Sequence, residues 1–287
     1  MENNSLPRQP KKVKRIGIML TGFGKTNLSA FRFLVLKMNS LQSTFEFEFL
    51  PINGDDAFAQ SLSSKTKLDR NAIKNEMPAF LERHQQFLEY LNEGYNLKES
   101  LPDYYVLVSL AQFADNFYTT RRNQLSILAL GNWQRFMSPP SLLEFILTLI
   151  LREAVSSISP SLRGSIHLGT KGCLFDFTAT LDEVRYKVLN GNICAHCHNA
   201  LLQDNYPELA DELRFVLGKE WFGKPSEPLS PANITSKLGY DLFTTKGLEA
   251  TTWEKFMSTL SEEGIKQLIT IIGGIILAGL IFWLGFQ

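Results

Sequence analysis

Cysteine and histidine are concentrated in one short part of this 287-residue chain. All three cysteines and three of the four histidines lie between residues 167 and 198, and the pattern there is H-x5-C followed by C-x2-C. Such a pattern supplies one ligand pair from each of two loops, which is the usual way in which tetrahedral zinc is enclosed. Because the donors are sulfur and nitrogen, Zn²⁺ is favoured over Mg²⁺ or Ca²⁺. The cluster therefore predicts two loops that meet around a zinc ion.

Cys173, Cys194 and Cys197 are the predicted metal ligands, and either His167 or His198 supplies the fourth. Four protein ligands close a zinc site, and closed sites are structural. Three other interpretations of the C-x-x-C-H sequence are covalent haem, a thiol redox pair and unliganded thiols. Haem attachment normally follows export, and a thioredoxin-like strand and helix do not precede the pair, so we prefer zinc.

Composition places the chain among folded proteins. It is 44% hydrophobic and 20% charged, which suits one sizeable core or two small ones. Lys plus Arg and Asp plus Glu are both 29, so nucleic acid is not directly indicated as a partner.

Residues 1–15 are basic and contain proline, and we expect a flexible tail there. The first apolar run lacks the features of a signal peptide, which favours an intracellular start.

The C-terminus is strongly apolar, with 21 uncharged residues after Lys266. About 20 such residues cross a bilayer as a helix. We therefore expect a transmembrane helix over 263–287, a tail-anchored single-pass protein with a cytosolic N-terminal domain, and the lipid bilayer as a partner. Four small residues in this segment favour helix association and a homo-oligomer. They are Gly273, Gly274, Ala278 and Gly279.

Hydrophobic periodicity predicts an α/β (α+β) soluble domain over 16–220, with a small zinc-bound subdomain at 167–198. A proline-rich linker and stalk is expected over 221–262. The predicted strands cover 15–21, 45–52, 104–111 and 125–131, and the predicted helices cover 27–41, 78–92, 138–158, 180–191 and 207–218.

The turn after the first strand contains Gly24-Lys25-Thr26, as the end of a P-loop does. The P-loop pattern requires glycine at the position of Met19, so a glycine-rich turn is the better interpretation. Two other polar residues are interpreted conservatively: His84 as a solvated helix residue, and Asp176 as a cap or a support for a metal ligand.

Over residues 104 to 200 the chain resembles the archaemetzincin type of zincin metallopeptidase. His167 and Cys173 match its H-x5-C element, with Leu168 in place of an intervening cysteine, and Cys194 and Cys197 match its later C-x2-C. The resemblance implies a zincin-like fold, a structural zinc, and a peptidase helix that carries H-E-x-x-H.

That helix departs from the family pattern. The matching residues are Arg152-Glu153-Ala154-Val155-Ser156, so both zinc histidines are replaced. Two histidines one helical turn apart are needed to hold zinc with an open water position. Glu153 stands in the place of the general base, but it lacks a metal-bound water to deprotonate, and an ordinary helix charge is preferred.

We therefore expect a non-enzymatic protein with a structural zinc that acts through a protein partner, either a sensor or a regulator. Its layout resembles the tail-anchored membrane effectors of prokaryotic immune systems, which implies a role in antiviral defence. The alternative is a membrane-anchored zinc metallopeptidase whose metal is bound by His167, His198 and Glu153.

Overall fold

The structure is a computed structural model that describes residues 13–64, 66–163, 167–168, 172–259 and 264–285. Its seven strands are β1 (Lys14–Thr21), β2 (Phe45–Phe49), β3 (Lys67–Leu68), β4 (Tyr104–Ser109), β5 (Gln112–Phe113), β6 (Thr119–Arg122) and β7 (Leu125–Ala129). The helices of the described residues are α1 (Ser29–Met38), α2 (Ala57–Ser63), α3 (Arg70–Gly94), α4 (Leu142–Ile158), α5 (Pro160–Arg163), α6 (Leu181–Asn190), α7 (Ala195–Gln203), α8 (Pro207–Gly218), α9 (Pro231–Lys237), α10 (Thr252–Thr259) and α11 (Ile265–Gly285).

The main sheet has five strands in the order β2-β1-β4-β7-β6. The first four strands are parallel, and β6 pairs antiparallel with β7 at the edge. A connection through α1 joins β1 to β2, and one through α2 and α3 joins β2 to β4, whereas β5 and β6 lie in the connection from β4 to β7. Because the chain builds the sheet outward in both directions from β1 and β4, the carboxyl ends of these two strands form a topological switch point.

Helices cover both faces of the sheet, which confirms the expected mixed α/β fold. Along β1, Ile16 and Ile18 point into a core shared with α1, α4 and the C-terminal helices. Met19 points to the opposite face, where α2 and α3 contribute a second core that includes Phe58 and Phe80. The period of two in the strands and the apolar stripes of the helices produce this three-layer arrangement.

Two helices begin several residues away from their predicted starts. Helix α4 begins at Leu142 because Ser141 and Glu144 form a reciprocal capping box, and the expected start near Ser138 lies before it. Helix α3 begins at Arg70, where Asp69 accepts a hydrogen bond from the amide of Asn71, and it therefore includes Pro78 eight residues inside.

Residues 222–248 of the segment predicted to be a linker (221–262) pack against the domain instead. Phe222, Tyr240 and Leu242 are buried in the larger core, and helix α9 begins at Ser230, whose hydroxyl caps it. In this segment, prolines begin short packed helices and separate them from one another. The high proline content therefore marks breaks between helices and does not mark an extended stalk. Residues 1–12 of the predicted tail lie outside the described part of the chain, whereas Lys14 and Arg15 belong to β1.

The predicted transmembrane helix over 263–287 is wrong. Helix α11 begins at Ile265, and the polar residues Lys266 and Gln267 follow in its first turn, so its apolar part covers only 268–285. Within the described ranges, no helix has both the length and the apolar character that crossing a membrane requires. The single-pass, tail-anchored interpretation thus loses its support.

Association through α11 stays a prediction. Gly273, Gly274 and Gly279 belong to this helix, and the side chain of Ala278 lies outside what the structure describes.

Candidate metal centre and the Glu153 site

Three backbone segments bring the predicted metal ligands together. His167 pairs with Asp176 and Cys173 pairs with Asn192 in isolated bridges, so the two loops lie side by side. The chain then enters helix α7 with Cys194 at its N-cap and Cys197 in its first turn. These short pairings converge on the ligands that the H-x5-C and C-x2-C spacing predicted.

His167, Cys173, Cys194 and Cys197 form one cluster whose ligand atoms all lie within 4.8 Å of one another. The Sγ atoms of Cys173 and Cys197 are 3.7 Å apart, and His167 Nε2 is 3.1 Å from Cys197 Sγ and 3.6 Å from Cys194 Sγ. A zinc tetrahedron with Zn–S near 2.3 Å and Zn–N near 2.0 Å has edges of about 3.8 Å and about 3.6 Å. The cluster therefore fits Zn²⁺.

The surroundings of Cys173 favour its thiolate, the form that binds a metal. The pKa of Cys173 is lowered to about 5, chiefly by its hydrogen bond with Cys197, and the same contact raises the pKa of Cys197. The amide of Cys194 also donates to Cys173 Sγ over 3.3 Å.

Asp176 supports the histidine ligand. Its Oδ1 atom is 3.5 Å from His167 Nδ1, while its Oδ2 atom accepts the amide of Cys173 over 3.0 Å. A carboxylate on the far nitrogen fixes the ring so that Nε2 faces the metal. This geometry agrees with the metal-supporting role predicted for Asp176.

The other two histidines of this region lie outside the cluster. His198 is 4.0 Å from Asp211, and His196 packs its ring edge-on against His167 at 5.7 Å between centroids. Because His167 lies in the cluster and His198 faces α8, the geometry favours His167 over His198 as the fourth ligand.

Glu153 lies in a different environment from the thiol cluster. Its side chain is fully buried, and Arg121 donates to Oε2 through Nε over 2.8 Å and through Nη2 over 2.6 Å. Arg152 donates to Oε1 over 2.7 Å, and Ser126 donates to Oε2 over 2.5 Å. Strand β6, strand β7 and helix α4 each contribute a partner to this carboxylate.

Electrostatics keep Glu153 ionised. Burial raises its pKa, but the charges of Arg121 and Arg152 and the hydrogen bonds outweigh burial, so the pKa lies below its ordinary value. A general base must be free to take a proton from substrate water. Both oxygens of Glu153 are held by cations, so Glu153 is a buried, ion-paired carboxylate and not the ordinary helix charge expected from the sequence.

Comparison with known proteins gives a limited result. No protein-family model matches the chain, and no curated protein sequence matches it. A zinc-dependent peptidase from Methanocorpusculum labreanum matches at 17% identity and a TM-score of 0.39 over 65% of this chain and 99% of that one. Archaemetzincin from Methanopyrus kandleri matches at 12% identity and a TM-score of 0.42 over 67% of this chain and 96% of that one.

The distant resemblance to archaemetzincins predicted from the cysteine motifs is confirmed by these two matches together with the His/Cys cluster. At such identities and TM-scores the likeness carries nothing about activity, which must be inferred from this chain's own residues. Neither match indicates a membrane anchor or a role in antiviral defence.

The sequence did not predict two basic residues that contact Glu153 and Asp176. Arg121 lies in the polar edge strand β6, 32 residues before its partner Glu153. Lys187 is buried on α6 and donates to the backbone oxygen of Asp176 over 2.6 Å, and burial followed by the charge of Arg152 lowers its pKa to about 7. The only signal for Lys187 was its place on the apolar face of a predicted helix.

Proposed function

We propose that this chain is a non-enzymatic, zinc-stabilised protein that acts through contacts with a protein partner. The zinc joins the loops at His167 and Cys173 to helix α7, and it has a structural role because four protein ligands leave no position for a substrate or a water. The single observation that carries the proposal is the clamped carboxylate of Glu153, with Arg121 and Arg152 on its two oxygens.

The chemistry at α4 supports the same conclusion. In a zincin, two histidines hold the catalytic zinc, one directly before the glutamate and one three positions after it. Here Arg152 carries a positive charge and Ser156 is a buried hydroxyl, so a dication at this helix would meet repulsion and lack imidazole ligands. Within the described residues, one metal-binding cluster is found, and Glu153 is not a member of it.

The proposal is tested by metal analysis and a peptidase assay on the full-length protein. We expect one zinc per chain by elemental mass spectrometry and loss of that zinc in the Cys194→Ser/Cys197→Ser variant. Casein cleavage should stay at the background of a no-protein control for wild type and for Glu153→Gln alike. Chelator-sensitive cleavage by the wild-type protein above this background would overturn the proposal and indicate a metallopeptidase.

A further inference from the structure

Three exposed cations surround the turn between β6 and β7. Arg122 ends β6, and its Nη1 atom donates to the backbone oxygen of Lys74 over 3.1 Å and to Oδ1 of Asn75 over 3.0 Å. Asn123 follows in the turn, and Arg163 Nη2 donates to its backbone oxygen over 2.7 Å. Lys74, Arg122 and Arg163 are all exposed, and we call these three residues the hairpin patch.

The part of the chain around the hairpin is poor in acidic residues. Residues 116–175 contain six basic residues and two acidic ones, Glu144 and Glu153. Glu144 closes the capping box of α4, and Glu153 is held by Arg121 and Arg152. Because the whole chain has 29 basic and 29 acidic residues, the positive excess is a local property of this region.

Helix α3 does not balance these charges either. The acidic residues that flank Lys74 in sequence have other contacts: Asp69 accepts the amide of Asn71, and Glu76 Oε1 is 3.8 Å from Arg83 Nη2. Within the part of the chain that the structure describes, none of the three residues of the hairpin patch forms an ion pair. The patch therefore presents uncompensated positive charge to the solvent.

The two guanidinium groups of the patch are held in place before any partner binds. Arg163 is fixed by the backbone oxygen of Asn123, and Arg122 by its two contacts with the start of α3. A guanidinium has five N–H donors, so each arginine keeps donors for a partner. A carboxylate accepts two parallel N–H donors from one guanidinium, and fixing the side chain beforehand reduces the entropy that binding costs.

We propose that the hairpin patch docks an acidic segment of a protein partner, whose carboxylates pair with Arg122, Arg163 and Lys74. The inference rests on the proposed function, because it gives the chemistry of the partner through which this protein acts. It is independent of the zinc ligands, since the patch contains none of them.

Nucleic acid fits this surface less well than an acidic protein segment. The chain has no net charge and a pI near 6.9, whereas nucleic-acid-binding domains commonly have a pI above about 9. Three cations also fall short of the roughly 6–10 phosphate contacts that hold many proteins on DNA.

Fluorescence anisotropy of the full-length protein with a dye-labelled octaglutamate peptide tests the proposal. At an ionic strength of about 0.1 M we expect saturable binding of octaglutamate and no binding of a Gly-Ser octapeptide that carries the same dye. The double variant Arg122→Gln/Arg163→Gln should weaken octaglutamate binding by at least about 5-fold, because two exposed charge pairs are lost.

The matched control is Arg214→Gln/Lys237→Gln, which removes the same charge from exposed positions on α8 and α9. It should leave the affinity for octaglutamate within about 2-fold of wild type. Both double variants should unfold within about 3 °C of the wild-type midpoint, since exposed substitutions change stability little.

The proposal is overturned if octaglutamate gives no saturable binding, if the two double variants weaken it equally, or if labelled octadeoxythymidylate binds the wild type more tightly than octaglutamate. Absent octaglutamate binding beside one zinc per chain and background casein cleavage would remove this docking surface and leave the proposed function standing.

Discussion

The guanidinium of Arg121 and the carboxylate of Glu153 meet at a single oxygen, Oε2, through two hydrogen bonds of 2.8 Å and 2.6 Å. Glu153 is completely shielded from solvent, whereas the side chain of Arg121 keeps 20% exposure. A partly solvated cation thus neutralises a fully buried anion. This pair joins the edge strand β6 to helix α4.

Removing the charge of Glu153 should destabilise the fold strongly. In Glu153→Gln the guanidinium groups of Arg121 and Arg152 stay partly buried without their anion, which costs about 3–5 kcal/mol of unfolding free energy. Urea denaturation measures the change. The exposed helical residue Glu82 provides the control, because Glu82→Gln should change the free energy by less than about 0.5 kcal/mol. Equal effects of the two variants would contradict the account of this pair.

Asp176 should tune zinc affinity through His167. Asp176→Asn weakens the support on Nδ1, and loss of such a partner typically costs about 10-fold to 100-fold in metal affinity. Competition against a zinc-binding dye measures the dissociation constant. Asp182→Asn, an exposed aspartate in the first turn of α6, is the control and should leave affinity unchanged. Unchanged affinity in Asp176→Asn would remove Asp176 from the metal centre.

Zinc removal should loosen one region before the rest of the molecule. A chelator separates the His167 and Cys173 loops from α7, while the sheet β2-β1-β4-β7-β6 keeps its own two cores. Hydrogen exchange should therefore rise first in 172–203, by at least about 10-fold, and later in β1 and β4. A uniform rise over the whole chain would indicate that the metal stabilises the fold globally.

His84 should make stability fall in mild acid. The ring is 3% exposed between Phe80 and Tyr105, so the expectation of a solvated histidine is wrong. Burial lowers its pKa from 6.5 to about 4, so the unfolded chain takes up the proton first. The contribution of His84 is complete above pH 6.5 and is lost as the pH falls to about 4, by roughly 3 kcal/mol in total.

The pH dependence is measured by urea denaturation at pH 7 and pH 5 for wild type and His84→Phe. Acid release of zinc acts on both proteins alike, so the difference between their slopes isolates His84. We expect the variant to lose about 2 kcal/mol less than wild type over this interval. Identical slopes would show that His84 stays neutral in the unfolded chain too or is solvated in the folded one.

Local patterns predicted much of the fold and of the metal centre. Alternating Phe45 and Phe47 indicated strand β2, and the soft ligands of 167–198 indicated the cluster, because such signals lie within short windows. The pair Arg121 and Glu153 was missed because a salt bridge between a strand and a helix has no local spacing rule. The uncharged C-terminus predicted a membrane span, but no helix of the described residues is long and apolar enough to be one.

Zinc K-edge X-ray absorption of the purified full-length protein tests the central claim most directly. The account predicts three sulfur ligands at about 2.3 Å and one nitrogen at about 2.0 Å, with no oxygen in the first shell. An oxygen ligand beside two or fewer sulfurs would indicate an open site with bound water, and it would contradict a closed structural centre formed by His167, Cys173, Cys194 and Cys197.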